Sequence, residues 1–216
     1  MPFRDRTIDL VVLTHPQQDH VNGLIEVMRR YDVERVLEPD VEFTGASYQA
    51  WRRAVDESGA KLIQAQAGQV IVMDDGVFVQ VVNPPDRPLR GTSSDVDNAS
   101  VALRLVYGEF SFMLGGDMFR EAEDALVRAD VHLDSDVLKV GHHGSRTSSS
   151  VGYLGSVSPA VAVISAGDDN RFGHPHTETL EALRRWVPDE RLFLTSDRGT
   201  IEFVTDGERL RVKTER

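Results

Sequence analysis

The sequence predicts an α/β protein in which two sheets pack face to face with helices outside. Three observations carry this reading. Apolar runs of strand length alternate with helix-period segments at both ends of the chain, the middle shows period-two hairpins, and histidines gather just after the strand runs. Alternation places helices on outer faces, hairpins build antiparallel sheet, and polar groups at strand ends converge on one rim.

The elements follow in order. Residues 8–13 form a buried strand ending at Thr14, and the spacing of Val21, Leu24, Ile25 and Met28 marks one face of a helix. A strand is expected over 33–37, then a helix over 46–58 with Tyr48, Trp51 and Val55 on one side and Gly59 as its stop. Lys61-Leu62-Ile63 returns as a strand. Residues 69–73 and 77–82 form a hairpin across Asp74-Asp75-Gly76, because Asp-Gly between alternating runs favours a tight turn. A loop rich in Pro84, Pro85, Pro88 and Gly91 leads to Asp97-Asn98-Ala99-Ser100. A second hairpin covers 101–107 and 110–114, a helix spans 121–128, and strands follow at 137–140 and 160–165. Leu180, Leu183 and Trp186 mark a last helix, and runs at 191–195, 199–204 and 210–212 are expected to close the chain as an antiparallel group.

Composition narrows the chemistry. The 216 residues suit one substantial domain with no linker, repeat or low-complexity segment. With 35 acidic against 24 basic residues the formal charge is -11, so the general field repels polyphosphates. A nucleic-acid substrate would need a local basic groove or bound cations. The absence of cysteine removes disulfides and thiolate ligands, so any metal must sit on His, Asp and similar donors. No apolar run approaches bilayer length and the first residues are not a signal peptide, so the chain as given is expected to be soluble, without membrane insertion of its own.

Six of the seven histidines fall in three pairs: His15 and His20, His142 and His143, His174 and His176. Each pair follows an apolar strand run or its exit loop, as does Asp117. Imidazole and carboxylate are the donors that Zn²⁺, Mn²⁺ and iron accept. Each cluster alone has a plain structural reading: Asp19 as a helix cap, Gly115-Gly116-Asp117 and Gly141-His142-His143-Gly144 as turns, His174 and His176 as caps. Their joint occurrence at strand ends favours a site. His132 has no such setting and reads as a surface residue.

The series HPxxDH, xNASVALRLxYG, FMLGGD, LKVGHHGSRTSSS, AVISAGxxNxxGHPH and LTSxxGTI strongly resembles the C-terminal metallo-β-lactamase-like domain of the ComEC competence proteins, which take up DNA, over nearly the whole chain. The resemblance implies a four-layer αββα sandwich with metal at one rim. It implies His15, Asp19, His20, Asp117 and one of His142 or His143 as metal ligands. Metal-water chemistry then sets Asp19 or Asp117 to orient the water or accept its proton, and His174 is expected to contact a phosphate or protonate the leaving oxygen. Ser145, Arg146, Asn170 and His176 fall on the substrate side, where Lys139, Arg171 and the serines 148–150 are further phosphate partners. Gln17 stands where the superfamily carries a ligating His or Asp, and no histidine occurs near Ser100. One tight site for Mn or Zn and a weaker one around His15 are therefore expected.

The implied activity is a metal-dependent nuclease or phosphodiesterase acting on DNA. Two alternatives stay open: hydrolysis of another ester, such as a cell-wall phosphodiester or a lactone, and a metal-poor domain that binds DNA or a partner without cutting. In the family this module is joined to a membrane channel domain in the bacterial plasma membrane, facing outward. Family members also carry strands ahead of the first metal motif, so the sheet holding residues 8–13 is expected to lack early neighbours, as in a fragment, and to self-associate.

Overall fold

The computed structural model describes residues 6–73 and 76–216. The first part is a parallel unit: β2 (Val11–Val12), α1 (Gln18–Arg30), β4 (Arg35–Pro39), α2 (Ala46–Ser58) and β5 (Lys61–Ala65), with strands in the order β2-β4-β5. Its outer faces are helical because α1 buries Val21, Ile25 and Met28 and α2 buries Tyr48, Trp51, Ala54 and Val55. Gly59 ends α2 in the left-handed region at φ 72°, as its position predicts.

The second part is a seven-stranded sheet. It contains β6 (Val70–Val72), β7 (Phe78–Asn83), β8 (Ala102–Tyr107), β9 (Phe110–Leu114), β10 (Val137–Lys139), β11 (Val161–Ile164) and β12 (Leu192–Leu194), in the order β12-β11-β10-β9-β8-β7-β6. Pairing is antiparallel from β6 to β9 and parallel from β9 to β12. Both expected hairpins are therefore present; the turn at Asp74-Asp75 lies outside the described residues. A short α3 (Asp95–Asn98) precedes β8, and α4 (Arg120–Arg128), α5 (Val151–Val157) and α6 (Thr177–Leu183) cover the outer face of this sheet.

Three apolar clusters define the layers. Leu37, Val79, Val81, Val101 and Leu103 join the two sheets. Val11, Val21, Val36 and Trp51 sit between the small sheet and α1 and α2. Met113, Leu126, Leu138, Leu154, Ile164 and Leu183 sit between the large sheet and its helices. The order is helix, sheet, sheet, helix. Each large aliphatic side chain enclosed this way contributes about 1.5–3 kcal/mol.

Several expectations need correction. Residues 8–13 are not one strand. β1 (Thr7–Ile8) pairs with β3 (Asp32–Val33), whereas β2 pairs with β4. Between them the Arg35 side chain donates to the Asp9 carbonyl at 3.0 Å, which removes that carbonyl from the ladder. The run at 33–37 divides likewise, at Glu34, whose N–H donates to Ile8 and whose carbonyl accepts from Lys61. β12 is not part of a closing antiparallel group, because α6 carries the chain back as a crossover and leaves β12 parallel to β11. Only β13 (Ile201–Thr205) and β14 (Leu210–Thr214) pair antiparallel at the end. Trp186 lies beyond α6 and is 39% exposed, while Val187 takes the buried position through an N–H bond to Leu183. α5 was not expected, since Gly152 and Gly155 weaken helix propensity; Ser150 caps it and Tyr153, Leu154 and Val157 bury its inner face.

Candidate metal centre

The site is assembled from loops that leave the strand ends, tied together by backbone bonds. Val101 donates to the Thr14 carbonyl at 2.8 Å and His142 donates to the Gly116 carbonyl at 3.1 Å. Gly116 has φ +57°, and a Cβ there would lie 2.9 Å from the Ser100 Cβ and 3.3 Å from the Thr14 Cβ. Glycine is thus required where three site loops meet. The Ser100 hydroxyl accepts from the Asp117 N–H at 3.2 Å, so Ser100 anchors Asp117.

His15 and His20 are oriented by one hydroxyl. Thr14 Oγ1 lies 3.1 Å from His15 Nδ1 and 3.2 Å from His20 Nδ1, and its two lone pairs can accept both N–H groups. That turns both Nε2 atoms inward. Asp19 is in the first turn of α1 and does not cap it: Gln17 holds the cap position and makes no side-chain cap bond.

His142 and His143 occupy a short turn, residues 141–144, with φ +47° and +54°. Two consecutive left-handed residues other than glycine cost about 1–3 kcal/mol each, which marks the turn as held by its surroundings. His143 Nδ1 lies 2.8 Å from the Ser165 carbonyl. A carbonyl only accepts, so His143 carries its proton on Nδ1 and presents a lone pair at Nε2. Thr147 Oγ1, which itself donates to Ser145, lies 2.8 Å from His142 Nδ1 and fixes that ring in the same sense.

The inward atoms meet at Asp117. Its Oδ2 is 3.4 Å from His20 Nε2, 3.5 Å from His143 Nε2 and 4.0 Å from His142 Nε2, while His20 Nε2 and His143 Nε2 are 3.3 Å apart. Asp19 Oδ2 is 3.6 Å from His20 and 3.7 Å from His143. Two groupings therefore have metal-holding geometry: His15, His20 and Asp117, and Asp19, His20 and His143. Of the His142–His143 pair, His143 is the one drawn into a grouping. These lone pairs and carboxylates converge with no proton to separate them, which is the chemistry of a divalent cation site.

Electrostatics agree. Burial, reinforced by His20, pushes His15 down to about 4, so it is neutral at pH 7. Burial alone would raise Asp117, but its interactions with the imidazoles, His20 first and then His15 and His143, outweigh it and hold the carboxyl well below the usual range. Burial lowers His142 as well.

A cleft of about 870 Å³ opens onto this centre, lined by Gln17, Asp19, Phe43, Asp117, His143 and His174 among others. Arg171 and Phe172 form its outer wall, with the guanidinium 4.9 Å above the Phe172 ring. His174 is placed between Phe172 and His142, at ring distances of 5.7 and 5.6 Å. Burial, with His176, His142 and His143, pushes it down to about 4.

The remaining expected residues are placed differently. Asn170 serves the loop: its amide donates to Gly167 and His174 carbonyls and its oxygen accepts from the His174 N–H at 2.9 Å. His176 Nδ1 accepts from the Arg146 backbone at 3.1 Å, and the Arg146 side chain is exposed. Ser145 is 4% exposed and its hydroxyl accepts from Thr147, so it braces the turn instead of facing the cleft. Ser148 and Ser149 are likewise buried, and the Ser149 and Ser150 N–H groups donate to the Glu123 carboxylate. Lys139 donates to the Val140 carbonyl, and burial lowers its pKa against the pull of Asp117. Sequence reasoning missed Thr14 and Thr147. Thr14 had a visible signal, a hydroxyl directly before the first histidine at a strand end.

With fold and centre described, comparison with known proteins gives the class. The sequence pattern of the metallo-β-lactamase superfamily matches residues 3–167, and the chain belongs to that superfamily. Within it the chain is similar to ComE operon protein 3 of Bacillus subtilis (strain 168), 30% identical over 92% of this chain and 25% of that protein. It is similar also to competence protein ComA of Neisseria gonorrhoeae, 32% identical over 92% of this chain and 25% of that protein. The chain thus spans about a quarter of the length of these curated relatives. Among solved structures, CmlA, a diiron beta-hydroxylase from Streptomyces venezuelae, superposes with a TM-score of 0.59 at 16% identity, over 88% of this chain and 44% of that one, a likeness of fold. No helix among the described residues is long and apolar enough to cross a membrane.

Proposed function

We propose that the chain is a metal-dependent phosphodiesterase that cuts DNA, working in competence-related DNA uptake beside the membrane channel domain of a larger ComEC-like protein at the outer face of the bacterial plasma membrane. The observation that carries the metal-dependent part is the convergence of His20 Nε2, His143 Nε2 and Asp117 Oδ2 within 3.3–3.5 Å of one another. The similarity to competence proteins supports the choice of DNA.

A divalent ion such as Mn²⁺ or Zn²⁺, when bound there, acts as a Lewis acid and brings the pKa of its water towards about 7. Asp117, buried and held ionised, is the central anionic ligand. Asp19 has its side chain 61% exposed at the lip and is set to accept the proton of the attacking water. His174 is neutral in the free protein and offers an N–H to the phosphate; the phosphate's negative charge raises its pKa, so that it can protonate the leaving oxygen. Arg171 supplies a cation on the cleft wall of a chain whose formal net charge is -11.

The test is incubation of the purified chain with end-labelled single- and double-stranded DNA, with Mn²⁺, Zn²⁺ or chelator. Cleavage with metal and none with chelator supports the reading. The charge of -11 favours one other reading, hydrolysis of a smaller or less charged ester, which would show as turnover of a model ester with DNA left intact.

A further inference from the structure

Phe172 is 60% exposed, the most exposed large apolar side chain among the described residues, and it lines the cleft above the metal centre. The loop holds it there. Asn170 bonds both ways across residues 170–174, donating to the His174 carbonyl at 2.6 Å and accepting from the His174 N–H at 2.9 Å, so the intervening residues are kept outward. Both faces of the ring have flat partners: the Arg171 guanidinium at 4.9 Å and the His174 ring at 5.7 Å, tilted by only 22°. A second aromatic, Phe43, reaches the same cleft from the first half of the fold. Its ring rests over Gly45, where a Cβ would come within 2.5 Å of it, and edge-on against Tyr48, whose hydroxyl donates to the buried Glu38.

Charge in the cleft is sparse. Among the described residues that line it, Arg171 is the sole lysine or arginine, against the carboxylates of Asp19 and Asp117. Duplex DNA presents one charge per about 1.7 Å of axis and a single strand one per about 3.4 Å, so a wall with one cation suits the strand better than the duplex. Exposed aromatic rings supply what the charges do not, because every nucleobase has a face that stacks on them whatever its identity. Inside a duplex those faces are already covered by neighbouring bases.

We propose that Phe172 is a stacking platform for an unpaired nucleobase, with Phe43 as a second aromatic contact and Arg171 on the adjoining phosphate. The site then selects unpaired DNA by base contact instead of backbone charge. Because Phe172 stacks on His174, a base docked there sets the neighbouring phosphate beside the proposed acid. The inference rests on DNA being the substrate of the proposed function, and its test needs no cleavage.

The full chain, loaded with Mn²⁺ and again in chelator, is titrated onto three labelled oligonucleotides: a single strand, an abasic strand of the same length and a closed-ended duplex. Initial fluorescence anisotropy gives the affinities. Wild type is expected to hold the base-bearing strand about tenfold or more tighter than either of the others, the scale of base–aromatic stacking. In chelator that affinity should fall only about threefold between roughly 50 and 200 mM salt, the slope of one phosphate contact. Phe172→Leu, which keeps apolar surface without a flat ring, should lose the preference, and Phe172→Tyr should keep it, both with unchanged Mn²⁺ content and melting temperature. Equal wild-type affinity for the base-bearing and abasic strands overturns the proposal and leaves Phe172 to a protein contact, as does a preference that survives in Phe172→Leu. Base-dependent binding without any cut DNA would support the platform and overturn the nuclease reading, whereas equal cleavage of base-bearing and abasic strands would do the reverse.

Discussion

His20 Nε2 and His143 Nε2 are 3.3 Å apart although 123 residues separate them in the chain. His143 carries its ring proton on the Ser165 side, so the contact places two nitrogen lone pairs together over Asp117. His142 is further out, its Nε2 at 4.0 Å from the same carboxylate oxygen. We expect His143→Ala to weaken the tighter ion by about a hundredfold and His142→Ala by no more than about tenfold, the scale of a supporting group. Isothermal titration with Mn²⁺ distinguishes them, and the reverse order would reassign the ligand.

His174 and Asn170 should separate catalysis from metal binding. His174→Ala should lower turnover by about tenfold or more, the scale of general acid–base assistance, with metal content and melting temperature unchanged. Asn170→Ala should lower turnover less, because it loosens the loop that carries His174 without touching the metal groupings. Steady-state cleavage and elemental analysis check both; equal turnover in wild type and His174→Ala removes His174 from the mechanism.

Gly116→Ala is expected to destabilise the protein by about 1–2 kcal/mol from the left-handed backbone alone. It should also lower metal affinity, because the new Cβ presses on Ser100 and Thr14, which hold Asp117 and both N-terminal histidines. Chemical denaturation and metal titration measure the two effects. Loss of stability with wild-type affinity would show that these loops are not coupled.

Glu123 gives a pH signature. Burial pushes its pKa from the usual 4.5 up to about 7, against the bonds it accepts from Ser149 and Ser150. Between those values the folded protein holds more protons than the unfolded one, so this group's contribution to stability falls as pH rises from about 4.5 to 7. Below that window the group is neutral in both states and contributes no penalty. Above it, the cost levels off at no more than about 3 kcal/mol. In metal-free protein, Glu123→Gln should flatten this part of the stability profile when unfolding is followed in urea at pH 5, 6 and 7. Parallel profiles for the two proteins would refute it.

The layers were legible because their signals are local. Period-3.6 faces in α1 and α2, the Asp-Gly and Gly108 hairpins, and histidines at strand exits each lie within a few residues. What escaped was non-local. The division of residues 8–13 depends on an Arg35 side chain reaching the Asp9 carbonyl, and the direction of β12 depends on α6 crossing the sheet. Asp97 reads as part of a polar loop, and only the fold brings it within 3.6 Å of His15, 82 positions earlier by the numbering. Ser145 and Asn170 had polar side chains in the right motifs, but their hydrogen bonds are spent inside their own loops.

The most direct test measures metal content and DNA cleavage on the same samples, comparing wild type with Asp117→Asn. The account predicts that wild type loaded with Mn²⁺ cuts labelled DNA, and that Asp117→Asn loses bound metal and falls in rate by about a hundredfold or more, since one substitution removes the carboxylate shared by every nearby histidine. Wild-type metal content and cleavage in Asp117→Asn would contradict it.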